Sequence, residues 1–311
     1  MKKMLKKILA FFNISIKSKS LLDILLRRKY LFASFLFFLS VLFSLILTKS
    51  HHQNITLALA GFDSCEIDIS DSVPLNSTIV IGHAYGSPYN NSDVEDFIDK
   101  DAYAFLKTHS NRIDKVIFSG DVFSKPSLKK WEKLNNDFKE NFKIFIAPGN
   151  HDFYGSENKR IFESSPFGGN NYPISIEDKN YLIIAENSIE NNWMIKPSLQ
   201  NLVNDNSSQS ILVIQHNIPI MELLNYANSK KGMTKNLPSF SSFSKTMTNK
   251  KPIYWIIGDS GAFKDLPRMK CLKNTNHTFI LNGLGGIPND QVLIIADGNF
   301  SSYRLSKSNN I

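Results

Sequence analysis

The stretch FKIFIAPGNHDFY, residues 142–154, constrains the fold more than any other part of the chain. It begins as an apolar run and stops at a Pro-Gly pair, a pattern typical of a buried strand that enters a tight loop. An amide, an imidazole and a carboxylate follow at once, as Asn150, His151 and Asp152. Because open α/β sheets place their chemistry at the carboxyl ends of strands, these side chains are predicted to lie at a functional edge.

The same arrangement recurs at four further apolar runs, at residues 78–81, 115–119, 210–215 and 252–257. Repetition matters here because chance polar residues would not favour one end of successive strands. Imidazole and carboxylate groups are the usual ligands of Zn, Mn or Fe, and an amide oxygen is a weaker, hard ligand. The polar side chains at the five strand ends are therefore candidate metal ligands: His83, Asp121, Asn150 (beside His151), His216 and Asp259.

The order of apolar runs predicts an α/β fold. Apolar residues at helical spacing in 94–106, and a helix capped by Ser127, separate the first three strands, which predicts a mostly parallel sheet with right-handed crossovers. Further along, we expect a hairpin, two helices that follow Pro197 and Pro219, and late antiparallel strands. The corresponding ranges are 172–176 with 181–185 for the hairpin, 278–281 and 292–296 for the late strands, and 228–251 for a long surface loop.

Residues 30–48 form an uncharged apolar stretch of about 19 residues, long enough to span a bilayer. Three basic residues precede it and one lysine follows, so the positive-inside rule places the N-terminus in the cytoplasm and the body on the extracytoplasmic side. A cleaved signal peptide is the competing interpretation, but an uncleaved anchor is favoured because no small-x-small site follows until residues 58–60. The predicted organisation is a basic cytoplasmic tail (1–29), an anchor (30–48), a spacer with a short strand at 56–60 (49–76) and a body (77–311).

Charge is concentrated in the tail. The whole chain has 36 Lys and Arg and 28 Asp and Glu, and residues 1–29 contain nine of the basic residues but one of the acidic ones. The body is therefore neutral, which argues against a nucleic-acid partner. The tail fits either an amphipathic helix on an anionic membrane or a loosely ordered segment. Cys65 and Cys271 are too few for a disulfide framework, and either a single bridge or two unpaired core residues fits.

The order of the motifs resembles the calcineurin-like metallophosphoesterases. The residues that carry the resemblance are Gly120-Asp121, Gly149-Asn150-His151-Asp152, His216 in VIQHNIP, and Gly258-Asp259-Ser260-Gly261. It covers about residues 77–305 and implies a four-layer α/β/β/α sandwich with two adjacent metals. It further implies that Asp121 bridges the metals, that Asn150 and His216 bind the second one, and that His151 lies over the phosphate to protonate the leaving oxygen or stabilise charge. Asp152 is expected to orient His151 or its loop.

Two motifs depart from the family pattern. Where the family usually has D-x-H-G, this chain has His83-Ala84-Tyr85-Gly86, and Asp259-Ser260-Gly261 replaces H-x-H. The second metal keeps four candidate ligands, Asp121, Asn150, His216 and Asp259. The first keeps Asp121 and His83, with Tyr85 as a candidate third, so one or two Mn, Zn or Fe ions per chain are expected.

The resemblance implies a metal-dependent hydrolase of a phosphomonoester or phosphodiester that uses metal-activated water, and the apolar stretch at 30–48 adds the expectation that this enzyme is anchored in a membrane. The alternative is a degenerate, non-catalytic domain that binds a ligand or a protein. Neither a G-x-S-x-G elbow nor a P-loop is present in the sequence, which excludes a serine hydrolase of that type and a P-loop nucleotide-binding protein.

Overall fold

A computed structural model describes residues 57–58, 60–86, 97–169, 171–190, 194–206, 209–226, 237–262, 269–285 and 289–305. Contacts divide the chain into two compact units, Met1–Ile55 and Thr56–Ile311. All described residues belong to the second unit, so the predicted tail and membrane anchor lie outside them. Within the described ranges, no helix combines the length and the apolar character needed to cross a membrane.

Two β-sheets dominate the described residues, one of seven strands and one of six. In chain order the strands are β1 Asp63–Cys65, β2 Asp68–Ile69, β3 Ser77–Ile81, β4 Ile113–Phe118, β5 Lys143–Ile146, β6 Ile174–Ile176, β7 Tyr181–Ala185, β8 Ser210–Gln215, β9 Ile253–Ile257, β10 Met269–Asn274, β11 His277–Asn282, β12 Gln291–Ala296 and β13 Asn299–Arg304. The seven-stranded sheet has the order β1-β10-β11-β9-β8-β7-β6, and the six-stranded sheet has the order β2-β13-β12-β3-β4-β5.

The described helices connect these strands. They are α1 Lys100–Thr108, α2 Leu128–Phe138, α3 Asn150–Phe153, α4 Ser156–Glu163, α5 Pro197–Asp205, α6 Met221–Tyr226 and α7 Phe240–Thr246. Helix α1 begins after Asp99, whose carboxylate accepts hydrogen bonds from the Asp101 and Ala102 amides. Helix α2 begins after Ser127, as predicted, and buries Trp131, Leu134 and Phe138 on one face.

The predicted parallel core is confirmed. Strand β3 pairs with β4, and β4 pairs with β5, in parallel register, with α1 and α2 as the connections. The predicted hairpin is also present, as antiparallel β6 and β7. Strands β7, β8 and β9 are parallel neighbours in the other sheet. Strand β11 is also parallel to β9, so the six-stranded sheet contributes β3, β4 and β5 and the seven-stranded sheet contributes β7, β8, β9 and β11 as parallel strands, whose carboxyl ends lie along one edge of each sheet.

Alternation of side chains along the central strands produces three apolar clusters. Val80, Ile117, Leu212 and Ile214 point into the cluster between the two sheets. Their neighbours on β3 and β4 join a cluster that includes α1 and α2, and their neighbours on β8 join a cluster that includes α5, α6 and α7. Helix, sheet, sheet and helix thus form four layers, in agreement with the α/β/β/α expectation for the described residues.

Three expectations about the remaining segments need correction. Of the strand predicted around 56–60, the described residues Leu57 and Ala58 are helical and Ala60 lies in a turn. The described part of the predicted spacer adds β1 and β2 to the sheets, so the folded body begins ahead of residue 77. The predicted surface loop at 228–251 contains α7, which buries Phe240 and Phe243. The prediction of late antiparallel strands is confirmed: β11 and β12 lie in different sheets and each has an antiparallel neighbour, although β11 is also parallel to β9.

Cys65 and Cys271 form a disulfide bond, which resolves the two alternatives that the sequence left open. The two residues are direct partners in the antiparallel pair of β1 and β10, with Cα atoms 4.9 Å apart. The bridge joins positions 206 residues apart in the chain. It fastens the first strand of the body to the seven-stranded sheet.

Candidate functional site

The carboxyl ends of the two sheets meet through close backbone contacts at glycine residues. A Cβ atom on Gly258, after β9, would lie 1.6 Å from the Ser119 carbonyl oxygen, after β4. A Cβ on Gly120 would lie 2.5 Å from Nδ1 of His216. Both separations are far below a van der Waals contact, so only glycine fits at these two positions. The glycines bring strand ends from both sheets to one place.

Two of the candidate ligands have an unusual backbone conformation. His83 has a φ of 51° and Asp121 a φ of 54°, both in the left-handed region that non-glycine residues rarely adopt. The His83 amide donates a hydrogen bond to the Gly120 carbonyl oxygen at 2.9 Å, which ties the two turns together. Backbone strain of this kind concentrates at functional sites, where the surrounding structure holds it in place.

His216 lies at the centre of a group of four side-chain atoms of the kind that donate a lone pair to a metal ion, and we call this group the His216 cluster. Its Nε2 atom is 3.2 Å from Oδ1 of Asn150, 3.4 Å from Oδ1 of Asp121 and 3.6 Å from Oδ1 of Asp259. The four side chains come from the ends of β4, β5, β8 and β9. His216 and Asp121 are almost fully buried.

A backbone carbonyl fixes the proton of the His216 ring. Nδ1 lies 3.2 Å from the Ser119 carbonyl oxygen, which only accepts hydrogen bonds, so Nδ1 carries the proton. In the neutral ring Nε2 is then an acceptor that faces three oxygen atoms. Such a set of acceptors needs a positive charge among them, which either a second proton on His216 or a bound cation supplies.

The electrostatics of the cluster agree with this requirement. Burial lowers the pKa of the His216 imidazole, but the carboxylates of Asp121, Asp259 and Asp152 together raise this pKa above its ordinary value. Burial likewise raises the pKa of the Asp121 carboxyl group, but the facing imidazoles of His216, His83 and His151 hold it below its usual range. The cluster therefore attracts positive charge.

His83 and Tyr85 lie on the other side of Asp121, and we call them the His83–Tyr85 pair. Nδ1 of His83 donates to the Gly86 carbonyl oxygen at 2.5 Å, and Nε2 is 3.1 Å from the Tyr85 hydroxyl oxygen. The same Nε2 lies 3.5 Å from Oδ2 of Asp121. Burial lowers the pKa of His83 to about 4, and the nearby imidazoles of His216 and His151 add to the lowering, so this ring is neutral at neutral pH.

His151 occupies the first turn of α3 and faces the same region. Its backbone N–H donates to Oδ1 of Asp121 at 2.9 Å, and its Nδ1 lies 2.8 Å from the Ser124 carbonyl oxygen. The carbonyl fixes the ring so that Nε2 is the nitrogen left for chemistry. The Tyr85 ring lies 5.3 Å from the His151 ring, between centroids.

Asp152 supports the loops that carry Asp121 and His151. Its carboxylate accepts from the Val122 amide at 3.0 Å and from the Gly149 amide at 3.0 Å, which fastens the loop after β4 to the loop after β5. Burial raises the pKa of this carboxyl group to about 7, and the charge of Asp121 adds to the effect. The expectation that Asp152 orients its loop agrees with these contacts.

The structure thus brings all six predicted site residues together: His83, Asp121, Asn150, His151, His216 and Asp259. Their roles as metal ligands or catalyst remain predictions. The sequence interpretation missed Asn158, whose side-chain amide donates to the His151 carbonyl oxygen at 2.8 Å. It also missed the carbonyl oxygens of Ser119 and Ser124, because a backbone acceptor leaves no signal in residue type.

A metal site is not assigned by these contacts alone. Counting only His, Cys, Asp and Glu, the part of the chain that the structure describes contains no group of three or more set to hold a metal ion. The four-donor His216 cluster includes the amide oxygen of Asn150 as well as two carboxylates.

Comparison with known proteins identifies the class. A family model for calcineurin-like phosphoesterase matches residues 83–257, which is more than half of the chain. The protein belongs to the calcineurin-like phosphoesterase family, and the resemblance seen in the motifs is confirmed. A search of curated proteins finds no match for the chain. Family membership indicates hydrolysis of phosphoric esters and leaves the particular substrate open.

Proposed function

We propose that this protein is a metal-dependent phosphoesterase that hydrolyses a phosphomonoester or a phosphodiester. One observation carries the proposal. Three side-chain oxygen atoms, from Asn150, Asp121 and Asp259, lie 3.2–3.6 Å from Nε2 of His216, beside a histidine, His151, whose ring is fixed by a backbone carbonyl. A purely structural role would not require this convergence of acceptors.

The donor spacing suits a single metal ion. Bonds of about 2.0–2.2 Å to a four- or six-coordinate ion put neighbouring donors roughly 3.0–3.5 Å apart. The separations around His216 Nε2 are close to this range. Asp121, Asn150, His216 and Asp259 would hold the ion, and the proton on His216 would leave as it binds. Mn, Zn or Fe matches a mixture of imidazole, carboxylate and amide ligands.

The residues of the chain then divide the work. A bound divalent cation would supply Lewis acidity and lower the pKa of a water molecule. Asp121 and Asp259 provide the negative charge that holds the cation. His151 holds its Nδ1 proton on the Ser124 carbonyl, and in the imidazolium form it would also carry a proton on Nε2 that it could donate to the leaving oxygen, ending as the neutral ring. Asp152 and Asn158 keep the His151 loop in place.

Hydrolysis of chromogenic esters by the full chain tests the proposal. We expect turnover of p-nitrophenyl phosphate or bis(p-nitrophenyl) phosphate with Mn²⁺, Zn²⁺ or Fe²⁺, and its loss on addition of a chelator. His151→Ala should lower kcat roughly 10²–10⁴-fold because the general acid is removed. Asn150→Ala should raise the metal concentration needed for half-maximal activity.

His109→Ala is the matched control, because His109 lies outside the site and packs its ring on Phe105 and Tyr303. This variant should retain wild-type turnover. If no metal restores turnover above the His151→Ala level for either ester, the enzyme proposal is wrong. The alternative, a degenerate domain that binds a ligand or protein without catalysis, would then be preferred.

We further propose that residues 30–48 anchor the protein in a membrane, with the N-terminus in the cytoplasm and the body on the extracytoplasmic side. The charge asymmetry around this stretch supports the orientation. The Cys65–Cys271 disulfide supports it independently, because such bonds persist in oxidising compartments. Protease added to intact spheroplasts should digest the body and leave a membrane-bound fragment that contains residues 1–48. Protection of the body would contradict this topology.

A further inference from the structure

The His216 cluster and the His83–Tyr85 pair lie on two sides of Asp121, and they differ in whether a hydrogen-bond donor faces the acceptor atoms. In the His216 cluster, Nδ1 of His216 donates a hydrogen bond to the Ser119 carbonyl oxygen. When the ring is neutral, Nε2 and the three oxygen atoms around it can only accept hydrogen bonds. On the other side, Nε2 of His83 faces Oδ2 of Asp121 and also the Tyr85 hydroxyl group. The Tyr85 hydroxyl group can donate a hydrogen bond to the acceptor atom on its side. The acceptors of the His216 cluster have no such donor within the cluster, so the need for a cation is greater there.

The hydrogen bonds of His83 show where that proton lies. Nδ1 faces the Gly86 carbonyl oxygen at 2.5 Å, so Nδ1 carries the ring proton and Nε2 has the lone pair. At 3.1 Å, the Tyr85 hydroxyl donates to this lone pair. The bond is fully buried, with Tyr85 3% exposed and His83 1% exposed. The nitrogen that would bind a metal ion on this side is already satisfied within the protein.

We infer that the chain holds one cation per molecule, in the His216 cluster, and that the His83–Tyr85 hydrogen bond occupies the position where a second cation would bind. The inference rests on the proposed metal-dependent function. The inference assigns Tyr85 a positioning role, because its hydroxyl group holds the neutral His83 ring by a hydrogen bond and keeps that buried ring beside Asp121. Breaking a hydrogen bond that is buried in this way costs free energy, which favours its retention.

Among the residues that the structure describes, a second cation on the His83 side would have few ligands. His83 and Asp121 would supply two donors, and Tyr85 could join them only after losing its proton or turning away from His83. Two protein donors are fewer than the three that open catalytic metal sites ordinarily provide. The asymmetry therefore predicts one tightly held ion rather than two.

Metal counting on the full chain tests the inference. The purified protein is loaded with excess Mn²⁺ or Zn²⁺, dialysed against metal-free buffer and measured by mass spectrometry of the metal. We expect about one ion per chain, and the Mn²⁺ form should give the electron paramagnetic resonance spectrum of an isolated ion. Tyr85→Phe should keep about one ion, and His216→Gln should lose it. Circular dichroism and thermal unfolding check that both variants are folded.

Each outcome separates this inference from the proposed function. About two ions in the wild type, with an exchange-coupled Mn²⁺ spectrum, would overturn the inference and leave the phosphoesterase proposal standing. A fall from two ions to one in Tyr85→Phe would show that Tyr85 is a ligand. One ion that survives in His216→Gln would overturn its assignment to the His216 cluster. No bound ion with Mn²⁺, Zn²⁺ or Fe²⁺ would overturn both proposals.

Discussion

Gly149, at the start of the His151 loop, lies against Asp121 so closely that any side chain must move one of them. A Cβ atom there would lie 2.3 Å from Oδ1 and 2.4 Å from the backbone nitrogen of Asp121. Because one contact is with backbone, a side-chain rotation cannot relieve it. We expect Gly149→Ala to destabilise the fold by about 1–3 kcal/mol. It should also lower phosphoesterase activity by roughly 100-fold or more, since the His151 loop is displaced.

Gly169→Ala is the control for this prediction. Among the described residues other than its chain neighbours, no atom lies within 4 Å of a Cβ built at Gly169, so the unfolding free energy of Gly169→Ala should change by less than about 0.5 kcal/mol. Activity and denaturant unfolding are measured on both variants. Wild-type activity in Gly149→Ala would mean that the close approach of this loop to Asp121 is not needed for catalysis.

At the level of single residues, the donors of the site could be read from the sequence, but their state could not. His83, Asp121 and His216 are visible as polar residues after apolar runs. The choice of which ring nitrogen carries a proton depends on the carbonyl oxygens of Gly86, Ser119 and Ser124. Every residue has such a carbonyl, so sequence alone contains no information about which one lies close.

At the level of elements, His277 lies on β11, packs against α7 and has a pKa that differs between the folded and the unfolded chain. His277 is 1% exposed, accepts a hydrogen bond from Nε1 of Trp255 at 3.1 Å, and packs its ring against Phe240 and Phe243. Burial lowers its pKa from 6.5 to about 4. The unfolded chain binds a proton below about pH 6.5 and the folded chain does not, so protonation favours unfolding as the pH falls.

The expected result is a loss of stability in a defined pH window. From about pH 6.5 to about pH 4, His277 should remove roughly 2–3 kcal/mol of unfolding free energy, with no effect at higher pH. Denaturant unfolding is measured across this range for the wild type and His277→Asn, with chelator present so that metal loss does not contribute. The variant should be less stable at neutral pH but should show the shallower dependence. Parallel curves would show that His277 is protonated equally in both states.

The elements that the sequence predicted differ physically from those it missed. Strands β3, β4 and β8 are buried on both faces and therefore read as continuous apolar runs. Strand β10 exposes Lys273, and β13 contains two serines, so neither has such a run. Helix α7, with the sequence FSSFSKT, has poor helix formers and only two apolar residues. Tertiary packing against Trp255 and Phe279 stabilises it instead.

At the level of the whole molecule, the least predictable feature was which of the two sheets each strand joins. Strands β11 and β12 follow one another in the chain but belong to different sheets. The choice depends on which open edge each strand can pair with, and β12 pairs with β3, more than two hundred residues earlier. Pairing at that separation is set by the packed core and leaves no local pattern.

The Cys65–Cys271 bond acts at this same scale, because it closes a loop of about two hundred residues. Cross-linking such distant positions reduces the entropy of the unfolded chain and is worth about 2–5 kcal/mol. We expect Cys65→Ser with Cys271→Ser to lower Tm by roughly 5–15 °C in the full chain. Dithiothreitol should lower the wild-type Tm to the same value and leave the double variant unchanged.

Metal content and ester hydrolysis below the lowered Tm should stay at wild-type levels in the double variant, because β1 lies at the outer edge of the seven-stranded sheet while His216 and Asp259 follow β8 and β9. Unchanged metal content and activity in the double variant would indicate a disulfide that stabilises the fold, whereas a change in either would indicate one that regulates the site. If reduction removed the bound ion before it lowered Tm, the bridge would be coupled to the site through β10 and β11. An unchanged Tm would mean that β1 is held by its ladder alone, without help from the cross-link.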